Sequence, residues 1–148
     1  MEPWELAARE SIRDLVARYN AFGDSGRWES LMELFLPDAE VTLRGGESFS
    51  GQEAIQAFFT GAATNSGRRS SPERVWHHTS TLVIDFETPD RATGRCYFAV
   101  LTRSGLDHWG NYHDTYRKDG EDWRFARRSV SVDGLSPGGW ADQNLAGP

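Results

Sequence analysis

The chain has 148 residues, and its 16 basic and 22 acidic side chains give a net charge of −6 at pH 7. Nucleic-acid binding needs a positive field, which this composition lacks, and a single cysteine excludes a disulfide framework. No apolar run approaches the ~20 residues that cross a membrane, and the start MEPWELAARES lacks the basic and apolar regions of a signal peptide. We therefore expect a cytoplasmic protein of one domain, with neither nucleic acid nor membrane as partner.

Helical spacing of apolar residues dominates the first half of the chain. We predict helices over residues 3–22, 27–36 and 50–63, a short strand over 39–46 and a polar loop over 64–74. Pro3 suits a first helical turn, Gly23 ends the first helix, and Pro37 ends the second. Ser50 is the expected N-cap of the third helix, where Glu53 completes a capping box.

The apolar period changes to two from Val75 onward. We predict four strands over residues 75–86, 92–103, 106–118 and 122–132, because the connecting sequences ETPD, SG and DGED are short and have turn chemistry. Helices followed by a meander predict an α+β fold, with three N-terminal helices packed on one face of an antiparallel sheet. Residues 1–134 then form a single domain, and residues 135–148 form an irregular C-terminal tail.

Apolar residues fall on both faces of the first and last of these long strands. If the first strand alternates strictly, one face carries Leu82, Ile84 and Phe86 and the other carries Val75 and Val83. In the last strand, one face carries Trp123 and Phe125 and the other carries Ala126, Val130 and Val132. Three helices can cover only one face of the sheet. The second face is therefore predicted to meet another copy of the chain in a homodimer.

Several polar side chains could carry chemistry: Tyr19, Asp24, His77, His78, His108, Tyr112, His113, Asp114 and Arg128. Asp24 is also a good N-cap for a helix that begins near Arg27, although Ser25 can take that role and free the carboxylate. His77 and His78 are consecutive in a strand, so only one of them faces the helices. His108 and His113 lie five positions apart and point to opposite faces in the same way.

The common cofactor and nucleophile motifs are absent from the sequence. It contains no H-x-H, HExxH or Cys/His spacing for a metal, no glycine-rich nucleotide motif and no G-x-S-x-G elbow. Cys96 lies in an apolar stretch and is interpreted as a core thiol. What remains suits proton transfer without a cofactor: a histidine base, an aspartate that fixes its tautomer, and an arginine or tyrosine that binds developing negative charge.

Three segments carry a family resemblance: AARESIRDLVARYNAFGDSGRWESLMELFLPDAEV, RVWHHTSTLVIDF and YRKDGEDWRFARR. They resemble SnoaL-like members of the nuclear transport factor 2-like superfamily, in the branch that holds scytalone dehydratase and hexachlorocyclohexane dehydrochlorinase. The resemblance implies a cone-shaped fold in which the three helices and a strongly curved antiparallel sheet enclose a pocket. It also implies that Asp24, after the first helix, pairs with His77 at the start of the first long strand. Arg128 matches an arginine of the dehydrochlorinase, Tyr19 replaces its basic residue, and His108 falls at or beside a second histidine of scytalone dehydratase.

The resemblance implies a cofactor-independent, lyase-like enzyme, such as a dehydratase, acting on a small, cyclic, mostly apolar substrate. In this hypothesis His77 removes a proton, Asp24 orients His77, and Tyr19, His108 or Arg128 holds the carbonyl or departing oxygen. The expected lining of the pocket is Trp28, Phe58, Phe98, Val100 and Tyr112. Two alternatives remain: an isomerase or polyketide-cyclase-type enzyme in the same pocket, and a non-catalytic domain for small-molecule binding or dimerisation.

Overall fold

The computed structural model describes residues 1–43, 45–66 and 74–144. The helices are α1 (Pro3–Asp24), α2 (Trp28–Met32), α3 (Gln52–Ser66) and α4 (Trp140–Asn144); the strands are β1 (Phe35–Thr42), β2 (Ser48–Ser50), β3 (Trp76–Thr88), β4 (Arg91–Thr102), β5 (Gly105–Asp119) and β6 (Asp122–Leu135). The strands form one open sheet in the order β2-β1-β6-β5-β4-β3. The predicted α+β architecture is confirmed, but the sheet is mixed because β1 runs parallel to β6.

Helix α1 buries one stripe of its surface against the sheet. Ile12, Leu15, Val16 and Tyr19 are buried at three- and four-residue spacing, and the helix packs on β3 and β6. The helix continues through Gly23 and ends at Asp24, two residues later than predicted. That extension places the Asp24 carboxylate on the last helical residue, beside the start of β3.

The second helix is much shorter than predicted. The predicted helix over 27–36 is wrong beyond Met32, because Phe35 and Leu36 belong to β1, where both are fully buried. The backbone amide of Phe125 donates to the carbonyl of Leu34, which joins this segment to β6. Pro37 therefore lies inside β1, at the register shift between Phe35 and Glu40, where its missing N–H interrupts no ladder bond.

Two further boundaries differ from the sequence-based expectation. Ser50 ends the short strand β2 and pairs with Glu40, so it is not the N-cap of α3; the first helical bond there runs from the Ile55 amide to the Gly51 carbonyl. The C-terminal tail is not irregular throughout, since it contains α4. The predicted loop over 64–74 lies outside the described residues, apart from 64–66, which continue α3, and residue 74.

Two β-bulges change which residues share a face of the sheet. A register shift between Ser80 and Val83, with Thr81 at φ 57°, brings Val75 to the same face as Ile84. A second shift between Thr115 and Tyr116 brings Val130 to the same face as Phe125. The strict alternation assumed for these strands is therefore wrong, and most of their apolar residues face the helices.

The outer face of the sheet still exposes large apolar side chains. They are Trp76, Tyr97, Leu101, Leu106 and Trp109, each between 37% and 56% exposed. These residues lie on adjacent strands and form the outer apolar patch, so the homodimer remains a prediction with a defined surface. Among the described residues, no helix is long and apolar enough to span a membrane.

Candidate active site

Asp24 and His77 are in direct contact. The Asp24 Oδ1 atom lies 2.6 Å from His77 Nδ1, and Oδ2 accepts the backbone N–H of the same histidine at 2.9 Å. Both side chains are mostly buried, with 28% of His77 and 19% of Asp24 exposed. Because an ionised carboxylate only accepts hydrogen bonds, the neutral form of this imidazole carries its proton on Nδ1, and Nε2 is then the nitrogen that can accept one.

The alternative role of Asp24 as a helix cap is not realised. Helix α2 has Arg27 at its N-cap position and no side-chain cap hydrogen bond. Ser25 does not cap it either, which corrects our expectation: its hydroxyl donates back to the carbonyls of Ala21 at 2.6 Å and Phe22 at 3.3 Å. The carboxylate of Asp24 is therefore used for His77 alone among the hydrogen-bond partners described.

A second aspartate and histidine pair lies on β5. His108 Nδ1 is 2.7 Å from Asp107 Oδ2, and the two residues are only 7% and 3% exposed. Burial lowers the pKa of His108 below its ordinary value of 6.5, while the hydrogen bond to Asp107 opposes that shift and His77 adds to it. His108 is therefore neutral near pH 7, with Nε2 as a hydrogen-bond acceptor.

Strand register brings the two histidines together. Val100 on β4 pairs with His77 on one side and with His108 on the other, so all three side chains share the inner face. The imidazole centroids are 6.4 Å apart and the rings are nearly perpendicular, at 87°. As predicted, His78 and His113 point away from this face, and both are exposed.

A series of aromatic rings in mutual contact leads away from His108 on the inner face. Phe98 stacks on Tyr112 at 4.6 Å and meets the His108 ring at 5.9 Å. Trp28 stacks on Phe59 at 6.3 Å, and Phe59 also meets Tyr19. Phe58, which we expected in the lining, instead stacks on Phe49 of β2 at 4.5 Å. The structure thus brings Phe59, rather than Phe58, toward Tyr19.

Arg128 lies under these rings and is 0% exposed. Its Nε and Nη2 atoms donate to the two carboxylate oxygens of Asp114 at 2.8 and 2.7 Å, and the Tyr116 hydroxyl donates to the same carboxylate at 2.8 Å. The guanidinium carbon lies 4.1 Å from the Tyr19 ring and 3.9 Å from the Tyr112 ring. This placement suits a buried support for both rings, while the Nη1 atom of Arg128 has no hydrogen-bond partner among the described residues. That Arg128 holds a substrate oxygen stays a prediction.

Both tyrosines are neutral phenols at physiological pH. Burial raises the pKa of Tyr19, although the charge of Arg128 opposes the shift, and burial raises the pKa of Tyr112 well above its ordinary value of 10.0. Each hydroxyl can therefore donate a hydrogen bond to an oxygen. Tyr19 and Tyr112 pack edge to face at 5.9 Å, which places two phenols side by side above Arg128.

The sequence analysis missed two residues that contact His108 and one buried polar residue of α1. Asp107 was missed because a β-bulge turns its side chain to the inner face of the sheet. Trp140 was missed because it lies in the tail, although the Trp140 ring is 6.1 Å from the His108 ring. Asn20, one helical turn before Asp24, is 7% exposed, and its Nδ2 has no partner among the described residues. Only Asn20 carried a local signal, since a polar residue on the apolar stripe of a helix is unusual.

Two surface cavities formed by described residues lie away from His77 and His108. One, of about 330 Å³, lies on the outer face, where Tyr97, Trp109 and His78 contribute to its wall. The other lies beside the start of α1, near Trp4 and Arg9. An enclosed pocket at the histidines therefore stays a prediction. In the described part of the chain, no group of three or more His, Cys, Asp or Glu side chains could hold a metal ion.

Solved structures of other proteins share this fold. A candidate scytalone dehydratase from Novosphingobium aromaticivorans DSM 12444 is 23% identical, over 92% of this chain and 91% of that chain, with a TM-score of 0.78. The LinA-type3 hexachlorocyclohexane dehydrochlorinase from Novosphingobium barchaimii LL02 is 19% identical, over 90% and 91%, with a TM-score of 0.77. An NTF2-like protein with a cystatin-like fold from Novosphingobium aromaticivorans is 29% identical, over 97% and 91%, with a TM-score of 0.72.

These likenesses agree with the fold that the sequence predicted. No curated protein sequence matches the chain significantly. The SnoaL-like domain, in contrast, matches residues 4–129. Because that match covers most of the 148 residues, the chain belongs to the SnoaL-like domain family.

Proposed function

We propose that this protein is a cofactor-independent enzyme of the lyase type, in which His77 removes a proton from a small, cyclic, mostly apolar substrate. The observation that carries the proposal is the double contact of Asp24, which holds both the imidazole and the backbone of His77. Such a carboxylate fixes one tautomer and stabilises the imidazolium that forms when Nε2 takes up a proton. The names of two structural relatives, a dehydratase and a dehydrochlorinase, agree with this reaction class.

The reaction balances as an elimination. His77 Nε2 takes the proton of a C–H bond next to a carbonyl or a leaving group, and the electron pair of that bond forms the new double bond. In a dehydration the departing oxygen leaves as water by taking up a proton, supplied by the His77 imidazolium directly or through the Tyr19 hydroxyl; in a dehydrohalogenation a halide ion departs and the proton of His77 passes to solvent. His77 returns to the neutral state in both cases. Tyr19 offers a neutral O–H donor to a carbonyl or departing oxygen, and His108 offers an acceptor to a substrate hydroxyl.

The surrounding side chains suit a small apolar ring. Phe98, Val100 and Tyr112 form an apolar wall beside the histidines, and Trp28 with Phe59 supplies flat aromatic surface on the helical side. Such surfaces favour flat or cyclic molecules, since aromatic rings bury a large apolar area against another ring. We propose that Arg128 acts beneath this wall, where it holds Tyr19 and Tyr112 in place through its pair with Asp114.

A matched set of variants tests the proposal. A panel of cyclic hydroxy- and halo-compounds identifies a substrate, and the release of water or halide is then measured for the wild type and three variants. We expect His77→Ala and Asp24→Asn to lower kcat about 10²- to 10⁴-fold, as for loss of a general base. His78→Ala is the control, because that histidine is adjacent in sequence but faces outward and is exposed. Near-normal turnover in both dyad variants would reject His77 as the base.

Product analysis separates the elimination from other proton transfers at the same dyad. An isomerase or a cyclase of the polyketide type would also depend on Asp24 and His77, but isomerisation releases nothing. An isomeric product with no water or halide would therefore keep the dyad and reject the lyase. If a ligand binds and stabilises the protein but remains chemically unchanged in all variants, the domain is a binding module.

A further inference from the structure

Asp107 occupies an unusual place in β5. Leu106 pairs with Leu101 and His108 pairs with Val100, so Asp107 is an extra residue that opposes no partner on β4. This β-bulge lets two consecutive side chains turn inward, and both are buried, which a regular strand does not allow. Bulges are frequent next to active sites because they re-aim a side chain.

The buried carboxylate of Asp107 contacts two different elements. Oδ2 accepts from His108 Nδ1 at 2.7 Å and from the backbone N–H of Ala141 at 3.0 Å, and Oδ1 accepts the backbone N–H of Trp140 at 2.6 Å. The carbonyl of Asp107 also accepts the amide of Ser136 at 2.7 Å. One residue therefore holds both the imidazole of His108 and the start of α4.

We propose that Asp107 is a positioning residue of the active site: it fixes His108 as the Nδ1–H tautomer and clamps the C-terminal segment 136–144 against that histidine. This inference rests on the proposed function only where it gives His108 a role toward a substrate. The contacts of Asp107 with His108 and with the C-terminal segment are features of the free protein. Since Nδ1–H is directed to Asp107, Nε2 of His108 is the nitrogen available to a substrate hydroxyl.

The clamp also makes the C-terminal segment part of the site. The Trp140 ring lies against the His108 ring at 6.1 Å with an interplanar angle of 32°. A side chain on Gly139 would meet the carboxylate, because an added Cβ would lie 2.6 Å from Asp107 Oδ1. Only glycine therefore lets the backbone approach the carboxylate this closely. Trp140 is therefore the aromatic neighbour of His108 on this side.

The experiment uses the free, full-length protein and needs no substrate. Long-range ¹H–¹⁵N NMR spectra identify which nitrogen of His108 carries the proton, and amide exchange reports the clamp at Trp140 and Ala141. Asp107→Asn removes the charge. Asp142→Asn is the matched control, since Asp142 lies in the same segment and, within the described part of the chain, its carboxylate accepts the amide of Gly138 at 2.7 Å and makes no contact with His108. In the wild type we expect the Nδ1–H tautomer and a titration below pH 6.5.

Asp107→Asn should lower the pKa of His108 further, because the group that raises it is lost, while His77 continues to lower it. It should also weaken the preference for Nδ1–H and speed exchange of the two amides about 10- to 100-fold, as for loss of a charged hydrogen bond. Asp142→Asn should leave the His108 signals unchanged. If Asp107→Asn does not fold, Gly139→Ala tests the clamp, because it displaces the segment and keeps the carboxylate.

Two results would overturn the inference: a wild-type His108 protonated on Nε2, or a folded Asp107→Asn variant with the tautomer and amide exchange of the wild type. Its failure is distinguishable from failure of the proposed function. If no substrate is found but the tautomer and exchange results hold, Asp107 remains a positioning residue in a protein that does not catalyse the proposed elimination. If His77 proves to be the base, but Asp107→Asn leaves the tautomer of His108 and the amide exchange unchanged, the proposed function is supported and the positioning role of Asp107 is rejected.

Discussion

The buried ion pair of Arg128 and Asp114 gives the sharpest stability prediction. Both side chains are fully buried, and Asp114 receives two hydrogen bonds from Arg128 and one from Tyr116. Asp114→Asn leaves the shape almost unchanged but removes the negative charge, so the guanidinium remains buried without a counter-ion. Removing one partner of a buried pair costs about 3–5 kcal/mol, a large part of the ~5–15 kcal/mol that stabilises a domain.

Urea unfolding followed by tryptophan fluorescence measures this loss, and thermal unfolding checks it. For a domain of this size the melting temperature falls by about 2–4 °C for each kcal/mol of stability lost. We therefore expect it to fall by about 6–20 °C. Asp38→Asn is the matched control, because it breaks an ion pair with Arg117 whose side chains are 69% and 41% exposed. Exposed pairs contribute about 0–1 kcal/mol, so the control should remain close to the wild type.

Similar losses in the free energy of unfolding for Asp114→Asn and Asp38→Asn would contradict this prediction. A variant that expresses only as unfolded chain agrees with the prediction, provided that Asp38→Asn folds normally. The double variant Asp114→Leu with Arg128→Met adds a further check. It removes both charges together, and buried pairs replaced by apolar residues of similar volume are often neutral or more stable. It should therefore be more stable than Asp114→Asn alone.

Three other properties can be measured without a substrate. Burial raises the pKa of Cys96 to about 11, so its thiol should remain unreactive toward a disulfide reagent at pH 8 until urea unfolds the chain; rapid reaction of native protein would contradict this. Light scattering should give twice the 16.6 kDa chain mass, and Tyr97→Glu with Leu106→Lys on the outer apolar patch should give monomer; a monomeric wild type rejects the dimer. Gly110→Ala should cost about 1–3 kcal/mol by overpacking, because its Cβ would lie 1.9 Å from a backbone oxygen, whereas Gly61→Ala, with nothing nearby, should be neutral or stabilising.

The parts of the fold set by local chemistry could be predicted from the sequence. Helix α1 and the four long strands lie within a few residues of their expected bounds. The period of the apolar residues and the glycine- and proline-containing turns act within a short window, so they can be read from neighbouring residues. The pairing of Asp24 with His77 could not be read in that way, because 53 positions separate the two residues; it came from the family resemblance.

The errors arose where tertiary pairing overrides local preference. Leu34, Phe35 and Leu36 continue a helical pattern, yet β6 offers Phe35 a strand partner and Leu34 a hydrogen bond, so the chain extends instead. The bulges had a larger effect on the site. A bulge adds one residue to a strand, so the side chains that follow it point to the opposite face from the one that strict alternation predicts. It leaves no clear mark in a single sequence, which is why Asp107 and the inner face of β6 were misjudged.

The two aspartates support different roles for the two histidines. The Nδ1 atom of each imidazole contacts a carboxylate, so on both rings Nε2 is the nitrogen that no carboxylate holds. The centroids of the two rings are 6.4 Å apart. Two positive charges at that distance repel by about 2–3 kcal/mol at an effective dielectric constant of about 20, so the rings resist being protonated together. His108 is the more buried of the two, at 8% side-chain exposure against 28% for His77, and burial already lowers its pKa. In the proposed elimination, a positive charge on His77 would therefore oppose protonation of His108, and His108 would stay neutral and able to accept a hydrogen bond.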